Sequence, residues 1–133
     1  MTKLFRPRRL APAEVAAYDL VPERIARRAV LLRVPVLPPG AVGLTSGRFV
    51  LLRRDEPADG SSQLIAHELV HVRQFAELGR ARFALRYLWA YFRNLARFRR
   101  HRQAYLQIPE EVEAYTLARQ WHAARAAEAG RVT

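Results

Sequence analysis

His67-Glu68-Leu69-Val70-His71 sets two imidazoles four residues apart, with a carboxylate directly after the first. On an α-helix, residues four apart stand on one face, roughly 6 Å apart along the axis, so both rings can close on one tetrahedral ion, and Zn²⁺ suits such a pair. Glu68 lies about 100 degrees round the axis, clear of the ligand pair but within reach of a water at the ion, where a general base belongs. The setting agrees with a helix. Ser61 or Ser62 can cap its start, Leu64, Ile65, Leu69, Val70 and Val72 would bury it, and neither proline nor glycine interrupts it from Ser62 to Leu78.

A zinc ion that does chemistry needs a third protein ligand and an open position for water. The chain has no cysteine, so a histidine or carboxylate must serve. Glu77 stands well round the helix from His67 and His71 and is read as a solvated residue. A later helix beginning near Pro109 places Glu110 and Glu113 three apart on one face. Glu113, one turn inside, is the expected third ligand, with Glu110 its competitor; Glu110 and Glu111 also suit a first turn, where the helix dipole favours acids.

These two segments, His67 to Gln74 and Glu111 to Ala114, resemble the gluzincins, metallopeptidases whose third zinc ligand is a glutamate on a later helix. The chain is most similar to their minimal forms, over about residues 41–120. The resemblance implies a zinc-dependent peptidase acting on a peptide or protein substrate, with His67, His71 and Glu113 holding the metal and Glu68 as catalytic base. The competing expectation is a non-enzymatic basic binding module with a structural metal site.

The remaining elements must position these groups. At 133 residues the chain fits one domain of α+β class. Residues 1–28 read as short helices buttressing the rest, with Pro12 and Pro22 suited to first turns. Ala29 to Leu37 reads as a strand, and 41–54 as a hairpin turning at Ser46-Gly47, giving a small antiparallel sheet. The strand Arg48 to Arg54 could pair with an extended peptide or lie in the sheet interior. Gly79 suits a helix end. Arg80 to Arg102 is an amphipathic helix with eight arginines and no acid. Its simplest role is packing, while nucleic acid and an anionic membrane surface are the partners it would suit. Tyr105 and Tyr115 are considered as oxyanion donors without an assignment between them; His101 and His122 are read as surface or packing residues.

A net charge of +11 favours anionic partners, although almost all of it is arginine. No signal peptide and no run of roughly 18 apolar residues is apparent, so a cytoplasmic location is expected.

Overall fold

A computed structural model describes residues 6–132. Residues 1–5 of the expected N-terminal buttress lie outside it. The chain runs β1 (Arg8–Arg9), α1 (Pro12–Ala17), α2 (Glu23–Arg28), β2 (Val30–Arg33), β3 (Gly43–Ser46), β4 (Phe49–Leu52), α3 (Gln63–Leu78), α4 (Arg80–Phe98), α5 (His101–Leu106) and α6 (Pro109–Val132). The class is α+β, as the sequence suggests.

The sheet order is β1-β2-β4-β3. The hairpin forms as expected, Ser46 pairing with Phe49 across Gly47 and Arg48. Gly47 has φ +64, a conformation open to glycine at little cost. The sheet is mixed rather than antiparallel, because β2 and β4 run parallel, Val30 opposite Phe49. Alternation alone cannot distinguish the two pairings. β4 lies between β2 and β3, so the Arg48–Arg54 strand is interior and β3 is the exposed edge.

α3 is the central element, packed against α6, the sheet, α2 and α4. Ser62 caps it, its side chain accepting from the Ile65 N–H at 3.0 Å, and Gly79 ends it with φ +80. Ile65, Leu69 and Val70 are fully buried with Leu31, Val50 and Leu52 of the sheet. Ala114, Ala118 and Trp121 bring α6 into the same core. The N-terminal helices lock on: Tyr18 accepts a hydrogen bond from the Ser62 N–H at 3.1 Å, and Trp121 Nε1 donates to the Ala17 carbonyl at 2.9 Å.

The basic segment is two helices rather than one. Arg99, at φ +58, ends α4, and α5 turns back along it, held where the Asn94 amide donates to the Ala104 carbonyl. This turn returns Tyr105 toward α3. Among the described residues no helix is long and apolar enough to cross a membrane.

Candidate metal centre

His67 and His71 share the face of α3 that meets the first turn of α6. There the structure brings in Glu111 rather than Glu113. Glu111 Oε1 lies 2.6 Å from His71 Nε2 and 3.3 Å from His67 Nε2. One ligand atom from each of the three falls within 4.8 Å of the others, the only such cluster among the described residues. Helix geometry decides between the two glutamates. Positions 111 and 113 are separated by about 200 degrees, so only one can face the histidines. Glu113 points away and binds Arg73 and Gln74 instead. Glu110 also misses the cluster, its Oε1 standing 3.6 Å from Arg86 Nε. Glu77 pairs with Arg73 at 3.5 Å, outside the site as expected.

Glu111 was open to discovery in the sequence, but its place in a first turn offered a sufficient reason for an acid there. Its carboxylate is 2% exposed, too dry for that reason alone. Gln74 is the second residue whose role the sequence concealed. Its Nε2 donates to the Glu110 carbonyl at 3.0 Å and to Glu113 Oε1 at 2.9 Å, which fixes the amide's orientation. The amide oxygen therefore faces His71 Nδ1 at 2.7 Å and holds the proton on that nitrogen.

This orientation is the test of fit for a metal. With its Nδ1 proton given to Gln74, a neutral His71 presents the Nε2 lone pair directly to the Glu111 carboxylate. Two acceptors 2.6 Å apart require a proton between them, and a metal ion bound to both atoms would replace that proton. Two imidazoles and a carboxylate form a Zn²⁺ donor set, and the residues present fit the ion. Since an ordered outer partner tunes a ligand's basicity and aim, Gln74→Ala is expected to weaken zinc binding roughly 10- to 100-fold. Competition against a chelating dye measures this; unchanged affinity would remove Gln74 from the site.

In the metal-free protein the proton takes the cation's place. Burial disfavours charge on His71, but its hydrogen bond to Glu111 and the nearby charges of Glu111 and Glu68 outweigh it and raise the pKa to about 9. Burial likewise opposes ionisation of Glu111, yet hydrogen bonds and charge from His67 and His71 bring it down to about 2. The Glu111 contribution to stability is complete above the unfolded value of 4.5 and is lost as pH falls toward 2. The His71 contribution is complete below 6.5 and is lost as pH rises through 9. The metal-free melting temperature should therefore fall between about pH 6 and pH 9.5, a slope absent in Glu111→Gln. A flat profile for the wild type would contradict the pairing.

Glu68 stands beside this cluster but not in it. Its side chain is buried, and Oε2 accepts a hydrogen bond from Thr45 Oγ1 at 2.6 Å. Oε1 faces Gly43 on the edge strand, where an added Cβ would sit 3.0 Å away. Two clefts meet along Gly43, Glu68 and Tyr105. One, of about 280 Å³, is lined by Leu44, Phe75, Phe83, Tyr87 and Leu88; the other, of about 360 Å³, runs past Val42, Leu64 and His67. Tyr87 and Tyr105 line the smaller cleft together with Glu111. Burial and then the Glu111 charge hold both phenols far above their usual range, so both remain proton donors. Tyr115 lies apart, its hydroxyl 3.5 Å from the Leu106 carbonyl. His101 bonds the Tyr91 hydroxyl at 2.7 Å, and His122 lies against Trp121; neither reaches the site.

The family model of the eCIS core domain matches residues 38–78, which carry the hairpin, the cap of α3 and His67, Glu68 and His71, and end before Glu111. No curated protein and no solved structure matches the chain.

Proposed function

We propose that this chain is a zinc-dependent peptidase of gluzincin type, with His67, His71 and Glu111 as metal ligands and Glu68 as general base. The observation that carries the reading is the convergence of three ligand atoms beside a separate buried carboxylate at the junction of two clefts. Zinc, when bound, would supply a Lewis acid and lower the pKa of a water toward neutrality. Three ligands also leave a position open, whereas a structural site is usually closed by four. This favours catalysis over a purely structural metal.

The chain's own groups divide the work. Thr45 fixes Glu68 through Oε2, leaving Oε1 to take a proton from the attacking water and return it to the leaving amine. Tyr105, protonated and lining both clefts, can donate to the oxygen on which charge develops. β3 has a neighbour on one side only, so an extended peptide can add to its free edge through main-chain bonds. The smaller cleft offers a bulky apolar side chain an aromatic and aliphatic wall.

The eCIS core domain occurs in proteins of extracellular contractile injection systems, and that match adds a setting in which this chain could work. A fluorogenic peptide library incubated with the zinc-loaded chain tests the activity. Cleavage next to bulky apolar residues, stopped by a chelator and restored by zinc, is the expected result. A fully zinc-loaded chain that cleaves nothing would favour a binding module with a metal-held fold.

A further inference from the structure

α4 buries only part of its surface. Phe83, Ala90 and Asn94 face the protein, while Leu85, Leu88, Trp89 and Phe92 remain 51–71% exposed. At 100 degrees per residue these four span an arc of about 100 degrees, a continuous apolar stripe on a convex surface. Arg82, Arg86, Arg93 and Arg97 occupy the adjoining arc, all exposed. Arg99, Arg100 and Arg102 extend the charge past the helix end, and no acid occurs from Arg80 to Arg102. Exposed apolar stripes of this size mark contact surfaces.

We propose that α4 docks the protein on an anionic lipid bilayer, with Leu85, Leu88, Trp89 and Phe92 entering the acyl boundary and the neighbouring arginines meeting lipid phosphates. An interfacial helix needs a strongly apolar face, a basic flank and aromatic anchors, and α4 has all three. Charge weighs against a second copy of this chain, because each chain carries +11 and the stripe is flanked by exposed arginines. The aliphatic pair decides against nucleic acid: Leu85 and Leu88 offer no stacking surface to a base, whereas a bilayer accepts all four side chains. The inference stands apart from the peptidase proposal. Leu88 belongs to the wall of the apolar cleft as well as to the stripe, so docking would set the cleft mouth at the membrane surface.

Vesicle flotation of the full chain tests the docking, using phosphatidylcholine alone and with about one quarter phosphatidylglycerol. Glu68→Gln, which has no part in the stripe, should bind like the wild type. The expected result is binding to anionic vesicles only, with a blue shift in tryptophan fluorescence that Trp89→Phe removes. Each arginine near the surface is worth roughly fivefold, so Arg82→Gln with Arg93→Gln should weaken binding about 25-fold. Trp89→Ser with Phe92→Ser should weaken it tenfold or more, while both exposed positions leave the melting temperature unchanged. Absence of binding to anionic vesicles would overturn the proposal. So would binding indifferent to Trp89 and Phe92, concentration-dependent self-association lost in the serine variant, or tighter binding to single-stranded nucleic acid than to vesicles.

Discussion

Glu68→Gln should keep its zinc and lose peptide hydrolysis by roughly 10²- to 10⁴-fold, the usual contribution of a positioned general base. The geometry separates the two functions. Glu68 lies outside the ligand triad, and its Oε2 is engaged by Thr45 on the edge strand. Glutamine has the same shape and an amide oxygen that can still accept from Thr45, but it cannot carry the proton. Measuring kcat/KM and zinc content on the same preparation reads both effects. Full activity in the variant would remove Glu68 from the chemistry; loss of zinc would make it a ligand.

The second large effect distinguishes two neighbouring glutamates. Glu111→Ala removes one of three ligands and leaves the Nε2 atoms of His67 and His71 without the carboxylate they face, so zinc affinity should fall by about 10² or more. Glu113→Ala removes a carboxylate that is 47% exposed and paired with Arg73, an interaction worth about 0–1 kcal/mol. Its affinity should change no more than a few-fold, through the lost bond to Gln74. Direct zinc titration of both proteins checks the order. A reversed order would restore the expectation drawn from sequence.

The site helix was the most legible part of the chain because its signals are local. The i,i+4 histidines, the serine cap, the apolar run and the closing glycine all fall within 62–79. The third ligand was less accessible, since it depends on which side of α6 meets α3. Ala114, Ala118 and Trp121 form the buried stripe of α6, and at 100 degrees per residue Glu110 and Glu111 flank that stripe while Glu113 stands off it. Reading the stripe first would have excluded Glu113; choosing between Glu110 and Glu111 requires the tertiary structure. Gln74 could not be read at all, because its bond to His71 on the same helix has meaning only once two others, to Glu110 and Glu113 on α6, have fixed the direction of its amide. The parallel pairing of β2 with β4 was hidden for the same reason: strand partners are set by topology, and alternation records only which face is buried. No glycine or proline at Arg99 marks the break between α4 and α5.

The most direct measurement is a crystal structure of the zinc-loaded chain with anomalous data collected at the zinc edge. The ligand set His67, His71 and Glu111 requires one strong peak, about 2.0–2.2 Å from the two Nε2 atoms and a Glu111 carboxylate oxygen, with a non-protein oxygen completing the shell. Glu68 would stand beside it without ligating. A peak bound by Glu113, or no peak among these three residues after zinc loading, would contradict it.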